Sequence, residues 1–135
     1  MVTSSQPLGA VGSRQGYNVT NLALADGQPS NYTVYGELTH PAAGPSQTVL
    51  LLVSGGTYGS AYWDWPSTPE HPEWPELYSA VEHFTRSGFS TFNIDRIGVG
   101  RSSRPDAEMV TLQSHSYVLH ELVVQLKAGG IEANV

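Results

Sequence analysis

The sequence predicts an α/β domain, and three observations carry this prediction. Residues 48–53 form an apolar run without alternation, as expected for a strand that is covered on both faces. Residues 75–88 follow with helical spacing and with signals for both helix ends. A second strand-like run, residues 89–95, comes next. This alternation of strand, helix and strand is typical of parallel βαβ units.

The composition is that of a globular domain and excludes several classes of partner. The chain has 135 residues, of which 39% are hydrophobic and 13% charged, so it is long enough for one packed core and one domain. Its net charge of -6, without a long run of one sign, predicts no nucleic-acid partner. No apolar stretch reaches the roughly 18 residues of a membrane span, so no membrane association is predicted. The absence of cysteine excludes disulfides and leaves the compartment open.

The chain begins with a segment that resembles a linker. Residues 1–16 are rich in Ser, Gly and Gln without periodicity and lack the charged start and apolar centre of a signal peptide, so we predict a flexible leader. The domain is then expected over residues 17–135. Residues 17–25 and 32–39 are rich in strand formers, and the intervening residues 26–30 supply an Asp-Gly turn and a Pro. This pattern predicts a β-hairpin.

Two helices are predicted after the apolar strand. The first, over residues 75–88, has Pro75 in its first turn and Gly88 at its stop. Its buried stripe is predicted to consist of Leu77, Ala80, Val81 and Phe84. The second, over residues 114–128, ends at Gly129-Gly130, and its buried face is predicted to consist of Leu119, Leu122, Val123 and Leu126. A further strand should begin near Ile131.

The loop of residues 54–60 is the first stretch that could carry chemistry. It leaves the carboxyl end of the strand at 48–53, where open α/β sheets place their ligands. Gly55 and Gly56 would let the backbone turn sharply and point N–H groups into the crevice, and such donors stabilise the oxyanion of a tetrahedral intermediate. A plain turn between strand and helix explains the same residues about equally well.

The second stretch is the Gly-rich turn of residues 95–105. A dinucleotide-binding fingerprint requires Gly-x-Gly-x-x-Gly at the start of a helix, but Ser103 stands at the third glycine and Pro105 blocks an immediate helix. No cofactor is therefore predicted. His115 and His120 are five residues apart rather than four, and no His-Glu-x-x-His motif occurs, so no metal site is predicted either.

Together the two stretches resemble those of a known family. Residues 17–131 look like the N-terminal part of an α/β-hydrolase and are most similar to the secreted actinobacterial group. The resemblance is carried by Leu51-Leu52-Val53-Ser54-Gly55-Gly56-Thr57-Tyr58, Tyr62-Trp63-Asp64-Trp65-Pro66 and Phe92-Asn93-Ile94-Asp95-Arg96-Ile97-Gly98-Val99-Gly100-Arg101-Ser102-Ser103.

The resemblance implies a role for each loop. It assigns the oxyanion donor to the backbone N–H of Gly56, with Gly55 and Thr57 beside it, and hydrolysis of a small ester-like substrate to the complete enzyme. Ser54 stands where the family commonly has His, which weakens the bracing of the loop rather than removing the donor. The turn at residues 95–103 is implied to shape the floor of the site and to be architectural.

The family's nucleophile lies in a Gly-x-Ser-x-Gly elbow after the next strand, and the catalytic acid and His follow. No serine of these 135 residues fits this pattern; Ser102 comes nearest, with Gly100 two residues before it but Arg104 two after. We therefore expect a partial α/β-hydrolase sheet, a hairpin followed by β-α-β-α without the C-terminal strands, that is inactive on its own.

Two other interpretations of the chain remain open. It could be a non-catalytic assembly subunit that self-associates, or pairs with a complementing chain, through an open strand at 48–53. It could also be a truncated gene product without a function of its own. The aromatic segment from Tyr58 to Trp74 could form a substrate wall or could pack over the first helix.

Overall fold

A mixed sheet and three α-helices make up the part of the chain that the computed structural model describes, residues 9–129 and 131. The α/β class is therefore confirmed. Two short 3-10 helices, Ser60–Trp63 and Ala107–Met109, lie in the loops. The remaining elements are β1 (Val11–Leu22), β2 (Tyr32–Pro41), β3 (Val49–Leu52), α1 (Trp74–Tyr78), α2 (Ala80–Arg86), β4 (Ser90–Ile94) and α3 (Leu112–Lys127).

The strands are arranged in the order β1-β2-β4-β3. β1 and β2 form the predicted antiparallel hairpin, β2 pairs antiparallel with β4, and β4 pairs parallel with β3. Every residue of β4 is buried, as expected for a strand with neighbours on both sides. β3 is parallel to its neighbour as predicted, and in the described chain it lies at the edge of the sheet.

β1 begins at Val11, six residues before the predicted strand start at Tyr17. The N–H of Gly9 already donates to the carbonyl of Arg86 at 2.9 Å. A Cβ at Gly12 would lie 2.5 Å from the carbonyl oxygen of Pro41, so glycine is needed there for close approach of two strands. The predicted flexible leader over residues 1–16 is therefore wrong from residue 9 onward, and residues 1–8 lie outside the described part.

The single helix predicted over residues 75–88 is broken at Ser79. Ser79 has extended backbone angles (φ -92°, ψ 105°) and forms a β-bridge with Asp64. Its hydroxyl donates to the Asp64 carboxylate at 2.6 Å and accepts from the N–H of Glu82 at 3.1 Å, which caps α2. Val81 is buried as predicted, but Leu77 is 59% exposed, because the break turns α1 away from the core.

α3 agrees better with its prediction. Thr111 and Ser114 form a capping box at its start, and Gly129 takes the left-handed conformation (φ 71°) just after its end. Leu122 is fully buried, whereas Val123, predicted on the same face, is 36% exposed. Ile131 is buried and helical, so the strand predicted to begin there does not begin at this residue; residues 132–135 lie outside the described part.

The core lies between the sheet and α3. Phe92 and Ile94 of β4, Val34 of β2 and Leu122 of α3 are its largest fully buried members from regular elements, together with Leu22 at the end of β1. Among the described helices, none has the length and apolarity that a bilayer crossing requires.

Candidate active-site loops

The loop that follows β3 contains a tight turn. Ser54 is buried, and its hydroxyl donates to the carbonyl of Tyr58 at 2.7 Å. The N–H of Tyr58 in turn donates to the carbonyl of Gly55 at 3.2 Å, which closes a four-residue turn with Gly56 and Thr57 at its centre. Ser54, which stands where the resemblance leads one to expect His, therefore does brace this loop.

The N–H groups of Gly56 and Thr57 are available to a ligand. Both residues are exposed, and neither N–H donates to an acceptor in the described chain. The predicted reason for the glycines is nevertheless wrong. Gly55 and Gly56 do not have positive φ angles, and a Cβ at Gly56 would meet no atom within 4 Å. The turn itself does not require glycine at position 56.

Arg96, which follows β4, holds the turn from the side. Its Nη2 donates to the carbonyl of Gly55 at 2.7 Å and lies 3.5 Å from the carbonyl of Tyr58. Both carbonyls are thereby turned toward the guanidinium group. Sequence reasoning placed Arg96 in a motif without giving it a role, because a contact between residues 41 apart in the chain leaves no local pattern.

Asp95 joins the far end of the same loop to the Gly-rich turn. Its buried carboxylate accepts from the N–H of Ser60 at 2.8 Å and from the N–H of Arg101 at 3.1 Å. Gly100, with φ of 56°, lets the turn wrap around this carboxylate, since a Cβ there would lie 2.4 Å from Oδ2. Asp95 thus bonds backbone groups of both loops.

Ser102, the serine nearest to an elbow pattern, has a structural role. It is buried; its hydroxyl donates to the carbonyl of Asp95 and accepts from the N–H of Tyr35 at 2.9 Å. Among the described residues, no general base bonds this hydroxyl, so it is not activated as a nucleophile in this arrangement.

The positive charge of Arg96, in the Gly-rich turn, acts on His115. His115 lies in the first turn of α3, and burial together with the positive charge of Arg96 lowers its pKa below the usual value of 6.5. Within residues 9–129 and 131, no three His, Asp or Glu side chains come together in a way that could hold a metal ion.

A polar cavity of about 520 Å³ lies beside Asp95. Its lining includes Glu37 of β2, Asp64 and Asn93. Asn93 donates to the carbonyl of Ser60 at 2.8 Å, while its buried Oδ1 has no hydrogen-bond partner in the part of the chain that the structure describes. Arg14 of β1 pairs with Asp64, Glu37 and Glu82 beside it. Burial lowers the pKa of Arg14, but the bond to Asp64 and the charges of Asp64 and Glu37 outweigh it and raise the pKa above its ordinary value.

The aromatic segment divides into two groups. Tyr62 contacts Tyr58 and Trp63, with ring centroids 5.1 and 5.0 Å apart, and so extends from the candidate loop. Trp65 and Trp74 form a separate pair, 5.8 Å apart and close to perpendicular. The two interpretations left open for this segment, a substrate wall and packing over the first helix, therefore concern two groups of rings rather than one.

No protein-family model matches the chain, and a search of curated proteins found no match. The geometry of the two loops and the motifs that they carry are therefore what indicates a function.

Proposed function

We propose that this chain forms the oxyanion side of an α/β-hydrolase active site, for the hydrolysis of a small acyl ester or a related bond. The turn at Gly55, Gly56 and Thr57 supplies backbone N–H donors to the negatively charged oxygen that develops in the transition state. The nucleophile, the acid and the catalytic His come from residues outside these 135, on the same polypeptide or on another.

The observation that supports this proposal best is the double tether of the loop after β3. Arg96 holds its turn and Asp95 holds its end, and both come from the loop after the parallel neighbour β4. A rigid turn with two free N–H groups is what oxyanion stabilisation requires, because donors that are already oriented need no reorganisation during the reaction.

The sheet order supports the same location. β4 lies on one side of β3, and the other side of β3 is open in the described chain. A next parallel strand on that side would make the carboxyl end of β3 a point where the strand order reverses. Ligands of open α/β sheets bind at such points. The family's nucleophile elbow, which follows the next strand, would then face the turn at Gly56.

The test uses the coding sequence and one pair of variants. The region after codon 135 is read in all frames for a strand followed by Gly-x-Ser-x-Gly, and the protein containing both parts is assayed with short acyl esters. Gly56→Pro removes the N–H at a turn position where the fixed φ of proline fits. We expect it to lower kcat by about 10²–10³-fold. Gly56→Ala keeps the N–H and should retain activity.

Two outcomes would contradict the proposal. One is ester turnover, or labelling by an active-serine reagent, with residues 1–135 alone, because the triad members act together. The other is a complete protein in which Gly56→Pro and Gly56→Ala have the same kcat.

A second candidate function, a non-catalytic assembly subunit, is favoured by the edge of β3. Cavities of about 330 and 300 Å³ lie along this edge, between β3 and α3, and Val49 and Leu126 line both. Val123 lines the second cavity and is exposed. An open parallel edge beside an apolar groove offers backbone and side-chain contacts to one more strand.

Sedimentation velocity over a range of concentrations tests this second candidate. If the chain self-associates through the groove, Val123→Lys should shift the distribution to monomer, since a second positive charge beside Lys127, which already lines the groove, would have to be buried. Leu112→Lys changes an equally apolar, 78% exposed residue at the start of α3, away from the groove, and should leave association unchanged. Equal effects of both variants, or a monomeric wild type at all concentrations, would count against self-association.

A further inference from the structure

Trp65 and Trp74, together with Tyr78, line an open surface pocket that the proposed hydrolase function does not use. Trp65, Trp74 and Tyr78 line a space of about 320 Å³, at the small end of the roughly 300–1,000 Å³ typical of ligand pockets. Trp65 is 46% and Tyr78 56% exposed, so much ring surface is free for contact. Large exposed aromatic side chains that converge on one cavity indicate a binding site.

The three rings are held in place by their local structure. Trp74 and Tyr78 are the first and last residues of α1, four apart, and therefore lie on the same face of the helix. His71 stacks on Trp74 with ring centroids 4.3 Å apart and planes 5° apart, and its Nδ1 lies 3.1 Å from a carboxylate oxygen of Glu73. Trp65 follows Asp64, which the bridge to Ser79 fixes beside α1. The walls are thus formed before a ligand arrives.

The chain segment that carries the three rings is rich in negative charge. The chain from Ser60 to Tyr78 contains four carboxylates, Asp64, Glu70, Glu73 and Glu76, and no Lys or Arg. Of these four carboxylates, Asp64 is the one that Arg14 pairs with among the described ion pairs. Glu73 directly precedes Trp74, and Glu76 lies between Trp74 and Tyr78 on α1. A cation is therefore the ligand that this neighbourhood attracts.

We propose that Trp65, Trp74 and Tyr78 form an aromatic cage for a quaternary ammonium group. The electron-rich faces of Trp and Tyr attract such a cation. A primary ammonium would lose hydrogen bonds to water where it contacts the rings, and the ring faces that line the pocket do not replace them. A quaternary nitrogen has no N–H and loses none. The site is separate from the oxyanion loop, so it stands or falls independently of the hydrolase proposal.

The test compares choline with 3,3-dimethylbutan-1-ol, which carries carbon in place of the charged nitrogen. Each compound is titrated into the wild-type protein, and binding is followed by the NMR signals of the indole N–H groups. The signals of Trp65 and Trp74 should shift and saturate, while that of Trp63, whose Nε1 is buried outside the cavity, serves as the internal control. We expect choline to bind about fivefold or more tightly than the neutral alcohol, and ethanolamine to bind more weakly than choline.

Variants then locate the site. Trp65→Leu and Tyr78→Leu should each weaken choline binding about fivefold or more, whereas Tyr78→Phe keeps a ring and should retain most of it. Phe89→Leu alters an exposed aromatic outside the cavity and should have no effect. Equal affinities of choline and the neutral alcohol would overturn the proposal, and so would the absence of saturable shifts at Trp65 and Trp74; neither result depends on a variant that folds.

Discussion

The glycines of the two loops differ in whether the local backbone and its contacts require glycine. Gly100 has a positive φ and packs against the Asp95 carboxylate, whereas Gly56 has neither constraint. The sequence shows both only as glycines in Gly-rich loops. Which of them the fold requires depends on the position of Asp95, five residues away, and could not be predicted.

Gly100→Ala should therefore destabilise the protein far more than Gly56→Ala. The left-handed backbone costs alanine about 1–2 kcal/mol, and the contact with Asp95 Oδ2 adds a similar amount of overpacking, for a total of about 2–4 kcal/mol in the free energy of unfolding. Gly56→Ala should change it by less than about 0.5 kcal/mol. Urea unfolding of the two variants measures these changes. Equal losses in the free energy of unfolding would mean that the turn does not close around Asp95.

The pKa of His115 reports on the position of Arg96. Burial and the charge of Arg96 lower this pKa in the folded protein, so the unfolded chain binds more protons as the pH falls below about 6.5. The contribution of His115 to stability is present above pH 6.5 and is lost as the pH falls through the lower folded pKa. Below that pKa no further loss from this group is expected.

Arg96→Gln removes one of the two causes of the low pKa and should raise the pKa of His115 toward 6.5. The contribution of His115 to stability is then lost over a narrower range of pH. An NMR titration of the ring, assigned with His115→Gln, measures the change. Arg101→Gln removes another cation of the same turn, one that lies over the ring of Tyr35 at 4.6 Å, and should leave the pKa of His115 where it is. The same shift in both variants would show that Arg96 does not act on His115 directly.

At the scale of elements, helical spacing predicted one continuous helix over residues 75–88, whereas the structure has two helices, α1 and α2. Pro75 lies in the first turn of α1, and α2 ends two residues before Gly88, so both predicted helix-end signals are confirmed. The break at Ser79 depends on Asp64, which bonds it across 15 residues of sequence. No periodicity within residues 75–88 reports that contact.

Ser79→Ala tests whether this contact organises the helix pair. The variant loses the cap of α2 and a buried bond to Asp64, and should cost about 1–3 kcal/mol in the free energy of unfolding. Ser87→Ala is the matched control, because its exposed hydroxyl bonds only the carbonyl of His83. It should cost less than about 0.5 kcal/mol. If the two variants unfold at the same urea concentration, the break at Ser79 contributes no stability.

At the scale of the whole molecule, the hairpin, the parallel pair β3 and β4, and α3 were predictable because each has its own pattern along the chain. The contacts that join these elements were not predictable from the sequence. Arg14 of β1 pairs with Glu37 of β2, with Asp64 of the aromatic loop and with Glu82 of α2, so one side chain connects four parts of the fold. It lies in the segment whose composition indicated a flexible leader, because polar strand residues that face ion pairs look the same as linker residues.

A chain that starts at Tyr17 tests the difference between a leader and a strand. It loses the β1 and β2 pairs from Val11 to Gly16 as well as the ion pairs of Arg14. We expect a loss of about 2–4 kcal/mol, and a fall in Tm on the order of 10 °C in thermal unfolding followed by circular dichroism.

Arg14→Gln separates the two contributions to this loss. Its side chain is 31% exposed, so the variant alone should cost about 1 kcal/mol, and the cost should shrink at 1 M NaCl, where exposed charges are screened. The backbone contribution of residues 11–16 does not depend on salt, so the truncated chain should remain destabilised at 1 M NaCl. A truncated chain with the Tm of the full chain would restore the leader interpretation. A loss equal to that of Arg14→Gln would mean that the ion pairs, and not the strand, hold this segment to the fold.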